Sequence, residues 1–341
     1  MGRTGFRVRG DGRDALTRRP ERHEYRGATL EPPPSMTIRE TLKQAAQAAL
    51  ARLGPAGLAA RRAGARDLIL AYHNVVPDPS HAGADRSLHI TRDRFAAHLD
   101  LLVEAAEVVP LERILSGARE QRRRPLRVAL TFDDAYAGAL EYGLGELAAR
   151  GLPATVFVAP GRLGGEGFWW DRFADLSDNP GRRDEVLTGQ AGVEARVTRA
   201  LGALGWESVD PPALARSGTL AALDAAVASG LVTLGAHSWS HPNLAALSGE
   251  NLAGELERPL AWLRDRYPTP SRSWVAYPYG LHSPAVEAAA ARSGYESGLR
   301  VSGGFVATGG SAYAVPRMNV PAGLTANGLR LRLSGLVSPA A

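Results

Sequence analysis

The chain has 341 residues, 45% hydrophobic and 22% charged, so it can bury one large core and suits a single barrel-sized domain with additions. The absence of cysteine excludes disulfides and thiolate metal sites, which leaves nitrogen and oxygen as metal donors. The net charge is +5, but Lys43 is the only lysine among 40 basic residues, and residues 1–35 hold eight arginines against five acids. Arginine-rich coding and a basic tail explain this charge, so we predict no nucleic-acid partner.

The N-terminal part of the chain differs from the rest in composition. Residues 1–35 are poor in large apolar side chains and end in Pro32-Pro33-Pro34, so we expect a disordered basic tail, with Met36 as an alternative start. Residues 36–66 have a helical pattern and are interpreted as a packing helix, with a membrane-surface or partner-docking helix as the alternative. No secretory signal and no spanning helix is recognised. We therefore predict a cytoplasmic protein, with peripheral membrane contact as the alternative.

Strand-like and helix-like stretches alternate from residue 67 to residue 325. This alternation favours an α/β fold with parallel strands and crossover helices. Residues 161–228 interrupt it and are predicted to form a helical insertion, and residues 326–341 are interpreted as a C-terminal tail. The apolar runs that we expect to be strands are Asp67–Tyr72, Arg127–Phe132, Pro153–Val158, Leu231–Ala236 and Ser273–Tyr277.

Two of these runs end in side chains that bind metals. Asp133 and Asp134 follow one run, and His237 follows another, with His241 four residues later. Because the carboxyl ends of parallel strands meet at one rim, we expect these side chains to lie close together. Two imidazoles and one carboxylate leave a coordination position open for water, which is typical of a catalytic zinc site. We assign Asp134, His237 and His241 to the metal, and Asp133 to the base that deprotonates the attacking water.

Aromatic residues near these motifs are candidates for sugar contacts. Aromatic rings pack on the apolar face of a sugar, so Trp170 in the insertion and Trp239 beside the histidines are predicted to bind substrate. The alternative for both is a packing role, in which Trp169 and Trp170 bury the insertion against the barrel.

The ordered motifs resemble those of the polysaccharide deacetylases with a NodB homology domain, a group of carbohydrate esterases. Thr131-Phe132-Asp133-Asp134 resembles the first family motif, and the segment from His237 to Pro242 resembles the second. Tyr277-Pro278-Tyr279-Gly280 resembles the third, in which the backbone N–H at the position of Tyr279 helps to hold the oxyanion. The resemblance implies a distorted (β/α) barrel of about seven strands, a divalent metal such as zinc, and hydrolysis of N-acetyl groups on a glycan or glycan precursor.

Two departures from the family pattern affect the expected mechanism. The arginine that orients the base is missing before the third motif, where the chain has Trp274-Val275-Ala276. No histidine follows His282, so the late histidine that serves as general acid is also missing. We assign the acid to His73, which follows the first strand at the same rim, or to Asp133 itself.

Other substrates and another class of function stay open from the sequence. A soluble sugar, a lipid-linked intermediate or a non-sugar amide are alternative substrates. A carbohydrate-binding protein without turnover is the alternative function, motivated by the missing arginine and histidine.

Overall fold

Seven parallel strands form a closed barrel at the centre of the computed structural model, which describes residues 65–117, 123–173 and 180–338. The barrel closes because β1 pairs with β5 along seven residues, from Arg66 opposite Leu126 to Tyr72 opposite Phe132. The predictions for residues 1–35 and for 36–64 lie outside the described residues. The strands of the described chain are β1 (Arg66–Tyr72), β2 (Asn74–Val76), β3 (His89–Thr91), β4 (Glu107–Val108), β5 (Leu126–Phe132), β6 (Ala154–Val158), β7 (Val232–Ala236), β8 (Ser271–Ala276), β9 (Ser297–Val301) and β10 (Val315–Asn319).

The order of strands around the barrel is β1, β10, β9, β8, β7, β6 and β5, and β1 also pairs with β5. The short β4 pairs with the beginning of β5, and β2 and β3 form a separate two-stranded sheet. The predicted (β/α) barrel of about seven parallel strands is therefore confirmed. The helices are α1 (Arg92–Ala105), α2 (Leu111–Leu115), α3 (Leu144–Ala148), α4 (Trp169–Arg172), α5 (Pro180–Gly189), α6 (Glu194–Ala203), α7 (Leu220–Ala228), α8 (Gly249–Arg266), α9 (Pro284–Arg292) and α10 (Ala326–Ser334).

Alternation along the strands separates two apolar clusters. Side chains such as Ile69, Phe157 and Leu299 pack with one another in a small cluster inside the barrel. Their neighbours, such as Leu68 and Val156, belong to a larger cluster that also includes residues of the surrounding helices. Because successive strand residues point to opposite faces, the barrel strands are buried on both sides and have continuous apolar sequences.

The insertion between β6 and β7 contains four helices, α4 to α7, in the part of the chain that the structure describes. The helical insertion predicted from the sequence, residues 161–228, spans these helices. The last of these helices, α7, leads directly into β7. No helix among the described residues combines the length and apolar character required to cross a bilayer.

The segment from residue 326, which the sequence analysis interpreted as a tail, begins with a packed helix instead. The Thr325 side chain caps α10 by accepting a hydrogen bond from the Gly328 N–H, and Gly335 ends it in a left-handed conformation with φ of 79°. Leu329 and Leu333 of this helix are buried. The tail interpretation was wrong because this helix has only about two and a half turns, and its apolar pattern is too short to be recognised in the sequence.

Candidate active site

The carboxyl ends of the barrel strands surround a cavity of about 210 Å³. Asp133 and Asp134 follow β5, His237 follows β7, and His73 follows β1, so the topology delivers all four to one rim. The residues that line the cavity are His73, Ser87, Leu88, Asp133, Asp134, Trp170, Arg183, His237, His241, Tyr279, Gly280, Val301 and Asn319.

Asp134, His237 and His241 form a buried group of three side chains that could hold a metal ion. The Asp134 Oδ1 atom lies 3.1 Å from His241 Nε2 and 3.6 Å from His237 Nε2, and the two Nε2 atoms are 3.1 Å apart. Donors bound tetrahedrally to zinc at 2.0–2.1 Å are about 3.3 Å apart, so the three atoms have the spacing of one face of such a site. Asp134 Oδ1 is buried without a hydrogen-bond partner within the described residues, as expected for an atom that binds an ion.

A hydrogen bond to the ring of His237 leaves its Nε2 atom facing the site. His237 Nδ1 lies 2.7 Å from the Ala276 carbonyl oxygen, to which it donates, so the Nε2 lone pair is free for a metal. Burial lowers the pKa of His237, and lowers that of His241 to about 3, so both rings are in the neutral form that binds metals. Burial also raises the pKa of Asp134 to about 6, because hydrogen bonds do not compensate the carboxylate charge.

Two of the three donor residues have left-handed backbone conformations. Asp134 has φ of 69° and His241 has φ of 66°, and neither is a glycine. Such positions cost about 1–3 kcal/mol each and occur where the surrounding structure enforces them. At His241 part of this enforcement comes from Ser238, whose Oγ accepts a hydrogen bond from the His241 N–H at 2.9 Å.

Glu255 of α8 fixes the loop that carries the two histidines. Its carboxylate accepts hydrogen bonds from the backbone N–H groups of Trp239 and Ser240 at 2.9 and 2.8 Å. It also accepts one from the Ser240 hydroxyl at 2.7 Å. A surface helix thus positions the second metal-binding motif through one partly buried carboxylate.

Arg317 of β10 orients the candidate base. Its two terminal nitrogens donate to Asp133 Oδ1 and Oδ2 at 2.6 and 2.8 Å, a two-pronged arrangement buried within the barrel. Burial raises the pKa of Asp133, but the charge and hydrogen bonds of Arg317, together with the nearby histidines His237 and His73, outweigh this effect and hold that pKa well below its usual range. The inference that the orienting group is missing was therefore wrong, because the arginine comes from β10 and not from the segment before Tyr277.

His73 and Tyr279 both lie in the cavity wall. Burial lowers the pKa of His73, although the nearby Asp133 and Asp134 carboxylates act in the opposite direction, so the ring is neutral at neutral pH. The Tyr279 ring packs 4.7 Å from the His241 ring, and its hydroxyl accepts a hydrogen bond from Trp169 Nε1 at 3.0 Å. Tyr279 is thus held as part of the wall beside the metal donors.

Trp170 lines the cavity and is fixed by a directional chain of hydrogen bonds. Its ring lies 4.9 Å from the His241 ring, and its Nε1 donates to the Tyr136 hydroxyl at 2.8 Å. Tyr136 donates to Asp171 Oδ2 at 2.6 Å, and His89 Nε2 donates to Asp171 Oδ1 at 2.8 Å. The Asn74 amide donates to His89 Nδ1 at 2.9 Å, which leaves the proton on Nε2.

Trp239 lies outside the set of residues that line the cavity. Its ring packs against Gly161, where an added Cβ would approach Trp239 Nε1 to 2.7 Å, and Arg258 covers the ring at 4.0 Å. The structure therefore brings Asp133, Asp134, His73, His237, His241, Tyr279 and Trp170 together but not the Trp239 ring.

Sequence reasoning missed Arg317, Glu255 and Asn319. Arg317 and Asn319 belong to β10, and the alternation of that strand is the signal that would have placed both on the inner face with Val315. Glu255 gave no comparable signal, because one acid on an amphipathic helix is common.

Comparison with known proteins supports the same assignment. The sequence model of the polysaccharide deacetylase family matches residues 120–298, more than half of the chain. None of the curated proteins compared with the chain matches it significantly.

Solved structures share the fold at low sequence identity. The deacetylase PplD of Streptococcus pyogenes, solved with acetate, has 18% identity and a TM-score of 0.56; the match covers 78% of this chain and 97% of PplD. IcaB of Ammonifex degensii has 20% identity and a TM-score of 0.55, with 80% and 98% covered. A de-N-acetylase of Aggregatibacter actinomycetemcomitans has 18% identity and a TM-score of 0.56, with 78% and 98% covered.

Proposed function

The chain belongs to the polysaccharide deacetylase family and is a hydrolase of N-acetyl groups on glycans, and from this premise we propose how its own residues perform the reaction and on which part of the substrate. The observation that carries the proposal is the buried group of Asp134, His237 and His241 beside the Asp133–Arg317 pair. All but Arg317 line one cavity.

Asp134, His237 and His241 would hold a divalent ion, and we propose zinc because the three donors suit its tetrahedral geometry. When bound, zinc lowers the pKa of water to about 7 and polarises a carbonyl group.

Asp133 is the proposed base. Arg317 keeps its carboxylate ionised and fixes both oxygens, so the carboxylate is ready to take a proton from the attacking water. As the carbon–nitrogen bond breaks, the same carboxyl group returns this proton to the departing amine. His73 is the second candidate for the acid, but its lowered pKa means that it must first take up a proton.

The cavity suits one sugar residue. Its volume of about 210 Å³ is below the 300–1,000 Å³ of pockets that take drug-sized ligands. We propose that one N-acetylated sugar enters, with the Trp170 and Tyr279 rings as apolar walls and the acetamide directed towards the metal donors. The main argument for a carbohydrate-binding protein without turnover was the missing arginine. Arg317 supplies that arginine, so this alternative is weakened.

Acetate release from N-acetylglucosamine oligomers of increasing length tests the proposal. Protein stripped of metal should be inactive and should regain activity with zinc or cobalt. Asp133→Asn should lower turnover by about 10²- to 10⁴-fold while zinc binding, measured by calorimetry, is retained. Zinc binding without acetate release from any oligomer would contradict the proposed substrate, and equal loss of zinc in the variant would contradict the division of roles.

The proposed location is the cytoplasm, with peripheral membrane contact as the alternative. This proposal depends on the sequence alone. Cell fractionation followed by the acetate-release assay tests it, and activity confined to the secreted fraction would contradict it.

A further inference from the structure

His237 and His241 are oriented in different ways. The Nδ1 atom of His237 donates to the Ala276 carbonyl oxygen, the usual arrangement for a histidine that binds a metal through Nε2. The Nδ1 atom of His241 is buried and has no hydrogen-bond partner in another residue of the described chain. Ser238 bonds to the backbone of His241 and not to its ring. Because no polar contact orients the Nδ1 side of this ring, packing must do so.

Aromatic rings surround the His241 imidazole. The Tyr279 ring lies 4.7 Å from it at an interplanar angle of 85°, the Trp170 ring 4.9 Å at 54°, and the Phe168 ring 5.5 Å at 64°. Inclined contacts of this kind are directional, because the edge of one ring faces the π-electron face of the other. Three such contacts restrict rotation of the imidazole and so fix the direction of its Nε2 atom.

Two of these three rings, Phe168 and Trp170, belong to the insertion between β6 and β7 and stack on each other. Their ring centroids are 4.5 Å apart and their planes differ by 10°. Both side chains are buried. Displacement of one ring would therefore displace the other, and the stacked pair meets the His241 ring as one surface.

Asp171 follows Trp170 in the chain and anchors the stacked pair. Its buried carboxylate accepts hydrogen bonds from the Tyr136 hydroxyl at 2.6 Å and from His89 Nε2 at 2.8 Å. The Tyr136 hydroxyl in turn accepts from Trp170 Nε1 at 2.8 Å. The Asp171 carbonyl oxygen also accepts from the Ala84 N–H at 3.2 Å. A buried network in which the members are paired fixes one geometry of the groups that form it.

Burial of the insertion against the barrel does not by itself require a polar anchor. Replacement of buried ionic groups by apolar ones of similar volume is often neutral or stabilising. The buried carboxylate of Asp171 is explained when the rings must keep one orientation, and the neighbouring ring that requires a fixed orientation is that of His241.

We infer that the insertion is part of the metal centre, because Phe168 and Trp170 orient the ring of His241 by packing. Asp171 fixes the orientation of this pair. The inference rests on the proposed metal binding and extends it to residues outside the three donors. All three are positioning residues that act on the metal through His241, and they take no part in proton transfer.

Trp170→Leu tests the inference, because leucine fills space without a ring. We expect the zinc affinity of the stripped full chain, measured by calorimetric titration, to fall about 10- to 100-fold, the usual effect of losing a group that orients a metal ligand. Trp170→Phe keeps a ring and should lose less affinity than Trp170→Leu does. Trp206→Leu is the matched control, since Trp206 lies in the same insertion and packs against the main apolar cluster, and it should bind zinc as the wild type does.

Tyr136→Phe tests the anchor, because it removes the hydroxyl that joins Trp170 to Asp171 and keeps the ring. Zinc affinity should fall about three-fold or more, which is within the contribution of one hydrogen bond. Tyr295→Phe removes another buried hydroxyl, bonded to the Leu256 carbonyl oxygen, and should leave zinc affinity unchanged. If leucine at position 170 prevents folding, Trp170→Phe and Tyr136→Phe decide the question by the same titration.

The visible absorption of the cobalt-loaded protein provides a readout that a loss of stability alone does not change, since its bands report the arrangement of the ligands. The bands should shift in Trp170→Leu and should coincide with those of the wild type in Trp206→Leu.

The outcomes separate this inference from the proposed function. Unchanged zinc affinity in Trp170→Leu would overturn the inference and leave the proposed function standing. Equal losses in Trp170→Leu and Trp206→Leu would also overturn it, because they would reflect general destabilisation of the insertion. Wild-type protein that binds no zinc would overturn the proposed metal site and this inference with it. Zinc binding without acetate release would contradict the proposed substrate alone, because affinity still decides the inference.

Discussion

Asp133 and Asp134 are neighbours in the chain, yet their surroundings give the two carboxyl groups opposite properties. Asp133 faces Arg317, whose charge lowers its pKa despite burial, whereas burial raises the pKa of Asp134 to about 6. Separation of the two pKa values assigns different tasks to two chemically equal groups. In the proposed mechanism, the carboxyl group held ionised by a fixed cation is the base, and the one without such compensation binds the metal ion.

Removing Arg317 should change the pH dependence of the reaction. Arg317→Met removes the largest effect that offsets the burial of Asp133, so the pKa of this carboxyl group should rise. The base acts only when ionised. As the pH is lowered, the variant should therefore lose activity at a higher pH than the wild type does. The profile of kcat/KM between pH 4 and 8 measures this shift.

Arg317→Lys is the control, because it keeps the positive charge and loses the two-pronged geometry. Its acid limb should stay near that of the wild type while kcat falls. An unchanged acid limb in Arg317→Met would contradict the assignment of Arg317.

At the scale of the elements, α8 positions the loop that precedes it and carries His237 and His241. Glu255 binds two backbone N–H groups and one hydroxyl of the segment between His237 and His241. Partners of this kind orient the metal ligands, and their loss commonly reduces metal affinity by 10- to 100-fold.

Glu255→Gln should therefore weaken zinc binding by about 10-fold or more. The neutral amide loses the charge-assisted bonds and presents an N–H₂ group to backbone donors. Calorimetric titration of the stripped protein with zinc measures the effect. Glu257→Gln, at an exposed position of the same helix, is the matched control, and equal affinities in both variants would contradict the role of Glu255.

The sequence was sufficient for the strand-end motifs because the ligands follow apolar runs directly. Asp134, His237 and His241 need only the rule that parallel strand ends meet at one rim. The Asp133–Arg317 pair joins residues 184 positions apart, and no local pattern encodes such a pairing. The loop packing of Trp239 was equally hidden, since it depends on Gly161 and Arg258 from distant parts of the chain.

At the scale of the whole molecule, His98 links the first helix to the last part of the chain. His98 of α1 donates from Nε2 to the Leu324 carbonyl oxygen at 2.9 Å, and its Nδ1 accepts a hydrogen bond from the Tyr72 hydroxyl at 3.2 Å. The acceptor role of Nδ1 requires the neutral ring, and burial lowers the pKa of His98 from 6.5 to about 4.

The stability of the fold should therefore depend on His98 below neutral pH. The unfolded chain takes up a proton near pH 6.5 and the folded one only near pH 4, so this contribution is complete above pH 6.5 and is lost as pH falls towards 4. The loss is on the order of 3 kcal/mol, since each pKa unit corresponds to about 1.4 kcal/mol. Urea unfolding at pH 7.5 and pH 5 measures the part lost over that range, about 2 kcal/mol.

His98→Gln should show a smaller decrease of unfolding free energy between these two pH values than the wild type. Other buried histidines contribute equally to both proteins and cancel in the comparison. Equal decreases in the two proteins would contradict the prediction.

The hydrogen-bond chain behind Trp170 has a fixed direction. Its first member, the Asn74 amide, cannot flip without loss, because its oxygen accepts from the Val75 N–H and its nitrogen also donates to the Leu214 carbonyl. Every proton from His89 to the indole then has one assigned position. The wall beside His241 consequently has its final shape before any ligand arrives, so little side-chain entropy remains to be lost when a sugar binds. This part of the binding site is preorganised during folding. Affinity for the glycan therefore depends on how well the sugar fits the existing wall, and not on closure of the protein around it.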